Sequence, residues 1–244
     1  HIECSTMSQK YLGEEFDIHT GGIDLIPTHH ENEIAQSKGA CGKIPARFWM
    51  HGEYLLINGG KMSKSLGNVY LLQDIIDKGY DPLVYKLFCY STTYRKKLNF
   101  TWEGMDAAKV SLERLKEAYQ KHCEGTEYVS EEKIKEYEER FHNAINDDLN
   151  MPLAMSVVWE IAKSGEKSNK YAELLIKFDS VLGLKINEIS NENDIPEEIM
   201  KLVNKRIIAR KEKKWEESDR LRDELFNKGY IIQDSKDGMK IKKK

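Results

Sequence analysis

Three residues of types that commonly bind zinc occur near the start of the chain. Cys4 precedes His29 by 25 residues, and Glu33 follows His29 by four. A spacing of four puts His29 and Glu33 on one face of a helix, and thiolate, imidazole and carboxylate are ordinary zinc ligands. His30 is a competing ligand, because it stands three residues before Glu33. A buried, inert cysteine beside a polar helix start is the alternative interpretation.

A second group of residues has the chemistry to bind phosphate. Residues 61–65 read Lys-Met-Ser-Lys-Ser and stand between two glycines at 59–60 and Gly67. Lys61 and Lys64 supply ammonium groups, and Ser63 and Ser65 supply hydroxyls, so a flexible loop of this kind can close over a polyphosphate. By composition alone, an ordinary basic surface loop is the favoured interpretation.

The first 105 residues have the pattern of strands that alternate with helices, because glycines separate short apolar runs. Residues 16–19 and 54–58 are predicted strands. We expect Thr28 to cap a helix through residues 29–36. Asp81 and Pro82 are a cap and a first-turn proline for the next helix. This part therefore predicts an α/β arrangement over residues 1–101.

From Trp102 onward the apolar residues recur with the 3.6-residue period of helices. Four stripes predict a helical bundle over residues 102–190. They contain Ala108, Leu112, Leu115 and Tyr119; Ile134, Tyr137, Phe141, Ala144 and Ile145; Leu153, Val157, Val158 and Ile161; and Leu174, Leu175, Phe178, Val181 and Leu182.

The tail, residues 197–244, is predicted to be a small α+β domain. Two helices, over about 197–209 and 214–228, end at Gly229, and a hairpin follows. The tail has 15 Lys and Arg against 10 Asp and Glu, although the whole chain has a net charge of −3. A basic excess of this kind is typical of a surface that contacts nucleic-acid phosphates, but it also fits a solvated helix face.

Composition excludes several classes of protein. Hydrophobic residues make up 40% and charged residues 32% of the 244 residues, without an apolar run near the roughly 18 residues that span a bilayer. The four cysteines lack a CxxC pair and are too few for a disulfide scaffold. We therefore expect a cytoplasmic protein that makes no membrane contact.

The motifs together resemble the cysteinyl-tRNA synthetases. Five strings carry the resemblance: HIECS at 1–5, FDIHTGGIDL at 16–25, HHENEIAQ at 29–36, KMSKSLGN at 61–68 and DDLNMPLA at 147–154. The string at 61–65 is identical to the KMSKS signature of class I aminoacyl-tRNA synthetases. A weaker similarity continues from Ala209 to Asp223 in the tail.

The resemblance implies a Rossmann-type catalytic half-domain over residues 1–101, in an ATP-dependent ligase that attaches L-cysteine to tRNA(Cys) through a cysteinyl-adenylate. It implies one Zn²⁺ per subunit on Cys4, His29 and Glu33, where zinc would select the substrate thiolate over the hydroxyl of serine. ATP would react as its Mg²⁺ complex, with Lys61 and Lys64 as catalytic groups. We also expect a monomer.

Further site residues follow from the resemblance alone. His19, Gly22, Asp24, Ser63 and Ser65 would bind ATP or the adenylate. In the tail the candidates for anticodon contact are an arginine, an aromatic residue and two carboxylates, which can bind phosphate or a base, stack on a base and accept from base amino groups. They are Arg210, Trp215, Asp219 and Asp234. Trp215 as a packing residue is the open alternative.

The sequence also departs from the family pattern. A HIGH-type ATP motif, a further zinc-ligating cysteine and a tryptophan belong before the position of His1, so we interpret the chain as a C-terminal portion and expect it to be inactive by itself. Thr20 stands where a glycine is common, and Pro27-Thr28 stands where Phe-Pro is common. The histidine and aspartate positions are unaffected.

Two other functions are compatible with parts of the sequence. The first is a ligase on the same core that joins activated cysteine to an amino-sugar, and the tail at 197–244 argues against it. The second is an RNA-binding protein that uses only the bundle and the tail. The intact residues of the zinc and phosphate motifs argue against that function.

Overall fold

The computed structural model describes residues 1–188, 197–212, 214–235 and 238–243. They belong to two compact units, His1–Asn187 and Glu188–Lys244. Most of the described residues are helical, and the strands form small sheets. Every helix in the described ranges is too short or too polar to cross a bilayer.

The first unit begins with alternating helices and strands. They are α1 (Ile2–Leu12), β1 (Phe16–Gly22), α2 (Glu31–Cys41), β2 (Ala46–Gly52), β3 (Leu55–Ile57), β4 (Gly60–Lys61), α3 (Leu72–Asp77), α4 (Pro82–Cys89) and β5 (Leu98–Phe100). Strands β1 and β2 are parallel and joined through α2, which is a β-α-β unit. Strand β3 lies between antiparallel β4 and parallel β5.

The predicted start of the helix that carries Glu33 is wrong. A π-helical turn, Ile26–His30, precedes α2, and the residue at the helix N-cap is His30, without a side-chain capping bond. Thr28 therefore lies inside the turn instead of capping a helix. Proline at position 27 is in the first turn, where its missing N–H costs least.

The four predicted amphipathic helices are confirmed. They are α5 (Trp102–Cys123), α6 (Glu131–Asn146), α7 (Met151–Ala162) and α8 (Asn169–Leu182). Thr101, Ser130 and Asn150 cap the first three through side-chain oxygens. Phe141 and Phe178 stack with ring centroids 3.9 Å apart in the centre of the bundle.

One hydrophobic core extends from Ile57 on β3 to Ile186 after α8, and it includes apolar residues of α3, α4 and β5. The residues of the phosphate motif are thus attached to the same core as the helical bundle. The proposed boundary at residue 101 stays a prediction. In contrast, Pro45 and Ala46 are the buried apolar residues within residues 1–52, all of which are described.

The second unit contains α9 (Glu197–Lys211), α10 (Trp215–Asn227) and the antiparallel strands β6 (Tyr230–Ser235) and β7 (Gly238–Lys243). This agrees with the predicted order of two helices and a hairpin. Gly229 has φ +85°, the left-handed conformation that follows a helix end. Ile199, Val203, Leu225 and Tyr230 form its core.

His122 near the end of α5 is completely buried in the bundle. Its Nε2 lies 3.0 Å from the carbonyl oxygen of Ile161, which can only accept, so Nε2 carries the proton. Nδ1 then accepts from the backbone N–H of Ser168. A second proton on Nδ1 would face that donor, and desolvation by burial lowers the pKa of His122.

This burial predicts a loss of stability in mild acid. Because the unfolded chain binds a proton on His122 below about pH 6.5 and the folded chain does so only at lower pH, the free energy of unfolding decreases as the pH falls through that range. His122→Gln should reduce this dependence in denaturant titrations between about pH 7.5 and 5. The exposed His142 on α6 provides the control, and an equal change of slope in His142→Gln would contradict the assignment.

Candidate active site

The structure brings Cys4, His29 and Glu33 together. Their sulfur, nitrogen and oxygen atoms all lie within 4.8 Å of one another. Cys4 comes from α1, His29 from the π-helical turn and Glu33 from the first turn of α2. His29 Nε2 is 3.2 Å from Glu33 Oε1, as the four-residue spacing requires.

Glu33 is the buried charge of this cluster, with 3% of its side chain exposed. His19 Nε2 on β1 lies 2.8 Å from Glu33 Oε2. Despite these short distances, neither carboxylate oxygen receives a hydrogen bond of acceptable direction. A buried carboxylate without hydrogen bonds needs a positive charge nearby. A protonated His19 or His29 would supply that charge. A cation held by Cys4, His29 and Glu33 would supply it as well, and this donor set suits Zn²⁺.

His30, the competing ligand, lies deeper in the same cluster. It forms a second close group with His19 and Glu33. Its Nδ1 is 2.8 Å from Nε2 of His51, and its ring contacts those of His19 and Trp49 at 4.8 and 5.0 Å between centroids. Burial, followed by the charge of His19, lowers the pKa of His30. The thiolate of Cys4 belongs to the group with His29.

The carboxyl end of β1 carries the candidate nucleotide residues. A Cβ on Gly22 would lie 2.4 Å from Asp24 Oδ1, and one on Gly21 would lie 2.6 Å from His30 Cε1. The ring of buried His30 thus leaves no room for a side chain at Gly21, whereas at Gly22 the exposed Asp24 side chain would have to move. Asp24 is exposed in a 3₁₀ turn, Ile23–Leu25. Ligands of α/β sheets bind beyond the carboxyl ends of parallel strands, which is where Gly22 and Asp24 lie.

The candidate phosphate loop follows the β3–β4 hairpin. Lys61 ends β4 and is exposed, and Ser63 Oγ hydrogen-bonds with Ser65 Oγ at 2.9 Å. Asn68 closes the loop, since its Oδ1 accepts from Ser63 N at 2.8 Å and its Nδ2 donates to Lys61 O at 3.0 Å. Lys64 begins a 3₁₀ turn, and its side chain lies outside what the structure describes.

Asn68 helps to fix the conformation of the loop, and the sequence analysis did not single it out. Its signal was its place at the end of the KMSKSLGN string, because an asparagine side chain can bond backbone groups on both sides of a turn. Gly67 next to it has φ +63°, a conformation that favours glycine. The loop shape is thus fixed by an amide and a glycine.

The first unit also contains an open cavity of about 470 Å³. Thr20 and Gly52 at the ends of β1 and β2 line it, together with Leu55, Tyr85 and Tyr94. Neither the metal cluster nor residues 61–65 contribute to its wall. Desolvation by burial raises the pKa of Tyr85 to about 12, so its hydroxyl stays protonated at neutral pH.

The candidate tail residues lie on the two helices and the hairpin of the second unit. Arg210 is exposed near the end of α9, and Trp215, the first residue of α10, is 58% exposed. Asp219 stands one turn after Trp215 and pairs with Arg222 at 3.2 Å. The backbone of Asp234 pairs with Met239 in the hairpin, and its side chain lies outside the described residues.

Three family models match the chain. The tRNA synthetases class I (C) catalytic domain matches residues 1–110, the DALR domain matches 140–187, and the cysteinyl-tRNA ligase anticodon binding domain matches 192–241. The three ranges follow one another along the chain and cover most of it.

Curated relatives match over nearly the whole chain. A cysteine–tRNA ligase 1 from Burkholderia lata is 41% identical over 99% of this chain and 51% of its own length. Cysteine–tRNA ligases from Solibacter usitatus and Methanosarcina acetivorans are 39% and 41% identical over the whole chain, which covers 56% and 55% of their lengths. The chain thus spans about half the length of these relatives.

A solved structure agrees in fold. The LeuRS of Agrobacterium radiobacter K84, in a ternary complex with tRNA and LeuAMS, is similar with a TM-score of 0.54 at 18% identity, over 72% of this chain and 27% of that one. The fold and the catalytic-domain match define a class I aminoacyl-tRNA synthetase. Within that class, the chain belongs to the cysteinyl-tRNA synthetase family.

The cluster predicts metal binding by the chain. Zn²⁺, or Co²⁺ as a spectroscopic substitute, should bind at one equivalent. Loss of a residue that hydrogen-bonds to a metal ligand lowers metal affinity roughly 10- to 100-fold, and Cys4→Ala, which removes a ligand, should weaken binding by at least that much. Isothermal titration and the sulfur-to-cobalt absorption band measure this. Cys41→Ala is the matched control, because the Cys41 thiol bonds to Ser37 O in its own helix. Equal binding by both variants would remove Cys4 from the site.

Proposed function

We propose that this protein is a cysteine–tRNA ligase, which uses ATP to form cysteinyl-adenylate and then transfers cysteine to tRNA(Cys). One observation carries the proposal: Cys4, His29 and Glu33 lie close together, and the buried carboxylate of Glu33 lacks hydrogen bonds. Relatives named cysteine–tRNA ligase, at about 40% identity, support the substrate class.

Cys4, His29 and Glu33 would hold the Zn²⁺. The bound metal would supply a thiolate-binding position that discriminates cysteine from serine, because zinc binds thiolate well and a neutral hydroxyl poorly. Such a bond separates near-isosteres more strongly than pocket shape does. His19, assigned to the adenylate by resemblance, lies against Glu33 Oε2, so we place its ring between the metal cluster and the nucleotide.

The adenylate would be bound by groups at the β1 end and in the phosphate loop. Asp24, whose carboxylate lies close to the backbone of Gly22, would accept hydrogen bonds from the ribose hydroxyls. Ser63 and Ser65 would donate to phosphate oxygens. Lys61 and Lys64 would balance the negative charge that develops on the Mg²⁺-bound phosphates during transfer.

The tail would read the anticodon. Exposure of Trp215 on α10, with Asp219 on the same face one turn later, supports a stacking platform beside a hydrogen-bond acceptor. Arg210 and Asp234 would add a phosphate or base contact and a second acceptor. The match of residues 192–241 to an anticodon binding domain disfavours the amino-sugar ligase. The metal cluster disfavours a protein that only binds RNA.

Amino-acid selectivity tests the proposal. In the complete gene product, ATP–pyrophosphate exchange should respond to cysteine but not to serine. Glu33→Gln should abolish zinc binding and reduce cysteine-dependent exchange at least about 100-fold, the scale of losing an essential electrostatic group. Glu31→Gln is the control, since Glu31 is exposed in the same helix turn. Full exchange after complete zinc removal, or equal exchange with serine, would refute the mechanism.

The stacking role of Trp215 predicts a selective defect. Trp215→Ala should weaken tRNA(Cys) charging by about 1–3 kcal/mol and leave cysteine activation unchanged. An altered anticodon should reduce the charging of tRNA(Cys) less with the variant than with the parent protein, as measured by aminoacylation kinetics.

Lys214→Ala provides the electrostatic comparison, because Lys214 is exposed beside Trp215. This substitution should weaken the binding of all tRNAs alike and reduce the salt dependence of that binding. If Trp215→Ala behaves in the same way, or unfolds the second unit, Trp215 is not a base platform.

A further inference from the structure

Helix α1 brings Cys4 to the metal cluster but is weakly attached by apolar packing. None of its residues is buried. Its large apolar side chains are mostly exposed, with values of 62% for Ile2, 50% for Met7 and 73% for Tyr11. Because burial of apolar surface is the main force that fixes one helix against another, polar contacts must determine where the Cys4 thiol lies.

One such polar contact joins α1 to α2. Ser5 Oγ donates a hydrogen bond of 2.7 Å to Gln36 Oε1, and the pair is partly buried. The other serine and threonine hydroxyls of α1 bond within their own helix, Thr6 to Ile2 O and Ser8 to the carbonyls of Cys4 and Ser5. Ser5 is thus the α1 hydroxyl that reaches the neighbouring helix.

The contact lies next to the ligands along both helices. Ser5 directly follows Cys4, and Gln36 follows Glu33 by three residues, so Glu33 and Gln36 share a helix face about one turn apart. His29 and Glu33 are held in one continuous helical segment. Cys4 is the ligand whose position depends on the contact between the helices.

We propose that Ser5 and Gln36 are positioning residues that hold the Cys4 thiol within reach of the metal site. The inference rests on the proposed metal centre and adds residues that do not themselves touch the metal. Without this bond α1 would sample other positions against α2, so the metal would keep His29 and Glu33 but lose much of its thiolate contact. Affinity and thiolate coordination should decrease together.

A Co²⁺ titration of the 244-residue chain tests the proposal. Ser5→Ala should weaken Co²⁺ binding about fivefold, the equivalent of one ordinary hydrogen bond. It should also lower the sulfur-to-cobalt band per bound ion. Ser5→Thr keeps the hydroxyl and should restore both values. Thr6→Ala removes a neighbouring hydroxyl that bonds within α1, and it should leave both values unchanged.

A double-mutant cycle gives the decisive result. If Ser5 and Gln36 act through their mutual bond, Ser5→Ala combined with Gln36→Ala should weaken Co²⁺ binding no more than the larger single change. Additive losses, or an unchanged cobalt band in Ser5→Ala, overturn the positioning role although the metal centre stands. Absence of Co²⁺ binding by the parent chain overturns both. Thermal unfolding provides the folding check, because Ser5 and Gln36 lie outside both apolar cores.

Discussion

The buried carboxylate of Glu33 is the constraint around which the start of the molecule is arranged. A carboxylate with 3% exposure and no hydrogen bond costs several kcal/mol unless a positive charge compensates it. Its neighbours come from three elements: Cys4 from α1, His29 from the π-helical turn and His19 from β1. These side chains together form a group that could hold a cation.

Two parts of the first unit are held in place by different kinds of contact. The candidate phosphate loop follows β3 and β4, and Ile57 of β3 is buried in the large core that also contains the bundle, so this core supports the hairpin. The metal cluster lies among elements whose buried apolar side chain is Ala46, and polar contacts such as that of Ser5 with Gln36 hold it together. A metal that binds there would therefore contribute directly to local folding.

The sequence predicted helices better than it predicted their starts. The stripes of α5 to α8 agree with the structure because a 3.6-residue period reflects one buried face, and Phe141 and Phe178 meet on such faces. Thr28 was wrong as a cap because a π-helical turn continues into α2 without a break. Helix α1 was not predicted, since its residues are all at least partly exposed and form no apolar stripe.

For the candidate site, the sequence by itself determined the residue types, the four-residue spacing of His29 and Glu33 and the loop at 61–65. Hydrogen bonds within a helix set such spacings locally, so they can be read without knowledge of the fold. Only the tertiary structure decided that Cys4, 25 residues away, joins the pair and that His19 faces Glu33. Those contacts depend on how α1 and β1 pack against α2, which nearest-neighbour spacing does not encode.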